Sequence, residues 1–238
     1  MTQSMHHDYP TVKTKTPLPD ARPKALRLAF HAASVAIMLK GFTALNNVAM
    51  GDYVAPQYGG FFQFLTINGL LVAGLAMAFG GLGDVLPNVK SLRSIKRFFL
   101  LSALPVEITI SAIYWPIIIF APSLMLPSTE PSAESDGLFR IPLWMDLSMH
   151  AVPAIALVID FFAIEPKFLP PVSNQYAPVL ALSWGAIYST WVEHCASING
   201  RFPYPFLTMS DLPGRIAIYI GASVFAYGVF RVLNWIHR

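Results

Sequence analysis

The sequence predicts an all-α membrane protein, a bundle of six transmembrane helices with almost no soluble domain. Three observations lead there. Of its 238 residues, 55% are hydrophobic and only 12% are charged. A soluble domain carries roughly 25% charged residues, so too little polar surface is left to cover a particle in water. The apolar residues gather in six segments, each near the roughly 20 residues that span a bilayer as a helix. Finally, Lys and Arg fall mostly on one set of connectors.

The elements follow in order. Residues 1–24 hold four prolines and two histidines and no apolar run, which predicts a disordered basic tail and no cleavable signal peptide. The transmembrane domain is expected over 25–238, with spans at about 25–45, 61–83, 98–121, 142–164, 175–197 and 214–236. The connectors hold the turn residues Gly51-Asp52, Pro87-Asn88, Pro127 to Gly137, Pro166 to Asn174 and Asn199 to Pro213. With the N-terminus cytoplasmic, twelve Lys and Arg residues lie inside and three (Arg140, Arg201, Arg215) outside, with Lys40 within the first span. That bias predicts both termini on the cytoplasmic side. It also accounts for the pI near 9.0 without a nucleic-acid partner. Small residues crowd the second span, among them Gly69, Ala73, Gly80 and Gly81, and permit close backbone approach between helices.

Several chemistries are excluded early. One cysteine, Cys195, forms no disulfide within the chain. His150 and His194 lack an H-x-x-x-H or E-x-x-H partner, so no metal site is expected. Nothing in the sequence calls for a cofactor.

Polar groups at membrane depth are costly and tend to mark function. Here they include Lys40, Thr66, Asn68, Glu107, Asp146, His150, Asp160, Glu193 and His194. Asp160, near an inner helix end, has Lys167 as an expected partner. Glu107 lies nearest the midplane, after Pro105, which frees a backbone carbonyl. Thr66 and His150 form the more informative pair. They sit about five and eight residues in from the outer ends of their spans, so their depths differ by only about 5 Å. One cavity in the outer half of the bundle can hold both. Asp146, four residues before His150, shares its helix face and can orient the imidazole. Nucleophile, base and orienting acid together fit acyl transfer by a hydroxyl. The plain alternative is a threonine that bonds the carbonyl one turn earlier.

At these residues the chain resembles the androgen-induced gene 1 / FAR-17a family, which includes the androgen-dependent TFPI-regulating protein. Phe64-Leu65-Thr66-Ile67-Asn68 is similar to the family's F-L-T-x-N segment, and Trp144 to His150 to its W-x-N-x-G-M-H segment. Trp191-Val192-Glu193-His194, followed by Tyr204-Pro205-Phe206-Leu207, is similar to its W-x-x-H and Y-P-F-L elements. Asp146 stands where the family usually has Asn, and the gap before Tyr204 is a few residues longer. The loop at 122–141 and the tail look lineage-specific. The resemblance implies an atypical hydrolase of fatty acid esters of hydroxy fatty acids, integral to the endoplasmic reticulum or another endomembrane. It also implies Thr66 as nucleophile and His150 as base.

The expected reaction draws a lipid ester sideways from the bilayer, forms an acyl-threonine and releases it with water. Asn68, Trp115, Trp191, His194 and Glu107 are the expected substrate-binding or oxyanion contacts. Two other functions compete. One is a transporter or channel working through Glu107, Asp160 and Lys40, against which stands the lack of an inverted repeat. The other is a lipid-binding scaffold without turnover.

Overall fold

The computed structural model describes residues 23–128 and 137–237. Most of the expected 1–24 tail and the centre of the 122–141 loop lie outside the described residues. Nine α-helices make up the described part: α1 (Lys24–Ala44), α2 (Ala49–Val54), α3 (Leu65–Val85), α4 (Lys90–Phe120), α5 (Leu143–His150), α6 (Val152–Ala163), α7 (Ala177–Asn199), α8 (Pro205–Thr208) and α9 (Leu212–Ile236). Among the described residues the only β feature is an isolated antiparallel bridge between Ser128 and Leu138.

The long helices alternate in direction. α1 packs on α3 and α5, α3 on α4, α4 on α6 and α9, and α7 on α9. α1, α3, α4, α9 and the α5–α6 pair are long and apolar enough to cross a membrane. α7 is long enough at 23 residues but is more polar, carrying Ser189, Thr190, Glu193 and His194. The outside of the bundle is apolar, with Phe120 85% exposed and Trp235 79%. Such a surface is stable against lipid and unstable in water. The core lies where α1, α3, α4 and α6 meet, around Met77, Leu100, Leu104, Leu157 and Phe161.

Helix boundaries depart from expectation in ways that shape the site. The second span does not begin at 61. Residues Gly60–Gln63 form a 3₁₀ turn, entered through Gly59 and Gly60 at positive φ, and Phe64 is extended before α3 starts at Leu65. Glycine suits such a left-handed corner because it has no Cβ to clash. The third span starts eight residues early, at Lys90. No breaker separates Val89 from Pro105, and the added turns carry Lys96 and Arg97 to carboxylates on α6 and just beyond it. The fourth span is broken at Ala151 (φ −124°, ψ −51°) into α5 and α6. Pro153 causes this, since its ring clashes with the carbonyl four residues back and it has no N–H to donate.

Two glycines of the small-residue stripe do mark close approaches. A Cβ at Gly80 would lie 2.6 Å from His31 Nε2, and one at Gly69 would lie 2.7 Å from Glu107 Oε1.

The helix ends near both described termini form a basic end, where a buried ionic network ties four helices together. His31 on α1 faces Asp84 of α3 through Nδ1 (2.8 Å) and Asp160 of α6 through Nε2 (3.1 Å). Lys96 of α4 donates to Asp160 (2.8 Å) and to Glu165 (2.9 Å), Arg97 also reaches Glu165 (2.9 Å), and Arg27 pairs with Asp84 (2.9 Å). Asp160 thus pairs with Lys96 and His31, not with Lys167, which donates to the Trp235 carbonyl instead. The early start of α4 brings Lys96 to the buried carboxylate and leaves Lys167 outside it.

Candidate active site

Thr66 is the second residue of α3, a consequence of the bend at Phe64. Ordinary helical hydroxyls in this protein bond backward: Ser34 to the Phe30 carbonyl, Ser102 to Phe98, Thr109 to Pro105. Thr66 has no turn of helix behind it to bond. The nearest preceding carbonyls are engaged elsewhere, Phe62 by Asn68 Nδ2 and Trp191 Nε1 (both 2.8 Å) and Gln63 by the Tyr188 hydroxyl (3.1 Å). The Thr66 side chain is 6% exposed and lines an internal cavity. It also stands at the positive end of the α3 dipole, where a developing negative charge is stabilised.

His150 is the last residue of α5 and lines the same cavity. Its ring is held on an edge and a face, and its backbone carbonyl is held as well. Nδ1 lies 3.2 Å from the Asp146 carbonyl oxygen and 3.3 Å from Asp146 Oδ1. Tyr114 lies flat on the imidazole (centroids 3.5 Å apart, planes within 1°) and donates its hydroxyl to Asp146 Oδ1 at 2.5 Å. The His150 carbonyl, at the break before Pro153, accepts from the Ser111 hydroxyl and from Trp115 Nε1 (3.2 Å). With Nδ1–H donating to Asp146, Nε2 is the nitrogen left as a base.

Tyr204 and Tyr188 complete the polar end of the cavity, and neither was among the expected site residues. The Leu65 amide, an unpaired donor at the start of α3, donates to the Tyr204 hydroxyl at 3.0 Å. Burial pushes the Tyr204 phenol up from its ordinary value, while its contacts with the Thr66 side chain, with the Thr66 and Leu65 backbone and with Tyr188 oppose that shift. One signal for Tyr204 was present in the sequence, the Tyr-Pro pair that opens the short helix α8. Tyr188 left none, because its role depends on a carbonyl 125 residues away.

The remaining expected residues lie away from the cavity wall. Asn68 and Trp191 shape the turn before α3, as above. Trp115 anchors α5 through its backbone. His194 packs edge-on against Tyr58, with ring centroids 5.4 Å apart. Glu107 is fully buried between α3 and α4 beside Gly69, and neither carboxyl oxygen has a hydrogen-bond partner among the described residues. The three groups of the transport reading do not meet around a path. Lys40 lies over Trp144 (5.4 Å) on the exposed surface, Asp160 is locked in the ionic network, and none of Lys40, Glu107 or Asp160 lines the cavity. No group of three or more His, Cys, Asp or Glu among the described residues is arranged to hold a metal.

The cavity has a volume of about 200 Å³ and is overwhelmingly apolar away from these hydroxyls. Its walls come from α3, α4, α7 and α9.

Comparison with known proteins agrees with this architecture. A UPF0641 membrane protein of Schizosaccharomyces pombe is 29% identical over 209 residues, covering 87% of this chain and 88% of that protein. A UPF0641 membrane protein of Saccharomyces cerevisiae is 23% identical over 220 residues, covering 87% and 90%. No solved structure matches the chain. The sequence model of the FAR-17a/AIG1-like proteins matches residues 26–238, which is the whole helical bundle, and the chain therefore belongs to the FAR-17a/AIG1-like family of membrane proteins.

Proposed function

We propose that the protein is an intramembrane hydrolase of lipid esters, with Thr66 as nucleophile and His150 as base. The observation that carries this reading is the shared cavity: a helix-start threonine with no backward bond and a clamped histidine with one free nitrogen line a single apolar chamber. His150 Nε2 takes the Thr66 hydroxyl proton as Oγ1 attacks the ester carbonyl carbon. The tetrahedral intermediate collapses, the alcohol leaves with the proton returned by Nε2, and an acyl-threonine remains. Water then attacks this ester, again giving its proton to Nε2. Oγ1 leaves as a hydroxyl with that proton, and the fatty acid is released.

Asp146 is a positioning residue, holding Nδ1–H so that Nε2 faces the chemistry. The oxyanion needs donors aimed at the developing charge. The Thr66 amide, at the positive start of α3, is one. The Tyr204 hydroxyl is assigned as the other: its oxygen accepts from Leu65 and it stands against the Thr66 side chain, where the oxyanion forms. Fatty acid esters of hydroxy fatty acids, the class suggested by the family resemblance, suit so apolar a chamber. The same resemblance points to the endoplasmic reticulum or another endomembrane.

A fluorophosphonate probe tests the assignment. The wild-type chain should be labelled, and Thr66→Ala and His150→Ala should not be. Undiminished labelling of Thr66→Ala would refute the nucleophile.

A further inference from the structure

We propose that the cavity measures acyl-chain length, with Phe230 as its floor and the Ala222–Ala226 stretch of α9 as the wall that lets the chain reach it. This rests on the hydrolase reading. The cavity lining runs from Tyr114 to Leu101 along α4, from Tyr188 to Ala177 along α7 and from Ile218 to Phe230 along α9. At 1.5 Å per residue each run is roughly 17–20 Å long. Thr66, His150, Tyr114, Tyr188 and Tyr204 stand at one end of these runs, and Leu101, Ala177 and Phe230 line the other. A cavity of about 200 Å³ drawn out along these runs suits a linear chain better than rings or branches.

The channel wall is mostly apolar. Its serine and threonine hydroxyls are already spent on the backbone, Ser102 donating to the Phe98 carbonyl, Thr109 to Pro105 and Ser223 to Tyr219, and the Tyr219 hydroxyl donates to Glu193. The floor is rigid. Phe230 is 1% exposed and packs on Phe168 (centroids 5.9 Å), which stacks on Phe161 (6.0 Å) and lies beneath the Arg97 guanidinium (4.2 Å). Arg97 in turn is held by Glu165 of the ionic network. On the approach, α9 presents Ala222, Ala226 and Phe230 one turn apart, so they share a face. The acyl arm occupies this channel, because it stays attached to Thr66 through both steps. The alcohol must depart between them, and a closed-ended channel would trap it.

The test uses the full chain in lipid nanodiscs and 4-nitrophenyl esters, so that only the acyl length varies, from butanoyl to tetracosanoyl. Phe230→Ala should move the optimum to longer chains. Ala226→Phe should move it to shorter ones, with kcat/KM falling about fourfold for each methylene that the shortened channel can no longer bury. Unchanged profiles in both variants, with Thr66→Ala inactive, would overturn the proposal while leaving the hydrolase standing. Full activity in Thr66→Ala would instead sink the hydrolase reading. A binding measurement keeps the two separate. In the Thr66→Ala background, hexadecanoic acid brominated in mid-chain should quench Trp184, which lines the channel. The quench should vanish in Trp184→Phe and weaken in Ala226→Phe. Equal quenching in all three would show that no chain enters.

Discussion

Removing one oxygen atom, in Tyr204→Phe, separates the chemistry of the site from its stability. The phenol has two functions here. It accepts the Leu65 amide at 3.0 Å, and in the proposed reaction its proton stabilises the oxyanion beside Thr66. Losing the first leaves a buried N–H unpaired, which costs about 1–3 kcal/mol, or roughly 2–12 °C in Tm for a chain of this length. Losing the second removes one oxyanion donor, which lowers kcat by about 10²–10³-fold. The donor acts on the transition state and not on the bound ester, so KM should change little. The assay is hydrolysis of a long-chain 4-nitrophenyl ester by wild type and variant, with Tm followed on the same samples. The pH profile adds a check. Burial raises the Tyr204 phenol, and the neutral form is the donor, so Tyr204 imposes no loss of rate until the pH passes the ordinary tyrosine value of about 10. A variant that melts several degrees lower but keeps a third or more of the wild-type kcat would refute the oxyanion assignment.

Other outcomes follow from the same geometry. Asp146→Asn should lower kcat/KM by about tenfold or less, since an amide still accepts from Nδ1–H, and Asp146→Leu by much more; equal losses in the two would refute a purely orienting role. Asp160→Ala leaves Lys96 and His31 without their shared carboxylate, which should cost about 3 kcal/mol or more and appear as a Tm drop in detergent. Pro153→Ala should restore the helical hydrogen bond across the α5–α6 break and turn His150 away from the cavity. It should lose labelling by the fluorophosphonate probe without losing Tm, and labelling at the wild-type rate would contradict the role given to the break.

Most of the long apolar helices were legible because apolar runs of the right length speak for themselves, and so was the placing of Thr66 and His150 on one cavity, since their depths in the two spans nearly match. The local conformation around them was not. The start of α3 depends on the paired glycines before it, which put Thr66 at the helix start and not mid-turn, so that its hydroxyl has no backward bond and meets Tyr204 instead. The break at Ala151 was foreshadowed by Pro153, but its consequence, a carbonyl captured by Ser111 and Trp115, needed α4 in place. The ionic network escaped for a similar reason. Arg27, Asp84, Lys96, Asp160 and Glu165 are scattered along the chain, and only alternate helix direction brings them to one end. Asn68, Trp191 and Trp115 were expected near the substrate because they are polar or aromatic at the right depth. They instead hold backbone carbonyls that set the two active helices, a role that periodicity does not reveal.

The central claim is that Thr66 becomes covalently acylated. Trapping the wild-type chain with a fluorophosphonate and mapping the adduct by mass spectrometry tests this directly. The modification should sit on Thr66, and both it and ester turnover should disappear in Thr66→Ala while Tm is retained. An adduct on any other residue, or turnover undiminished in Thr66→Ala, would contradict the account.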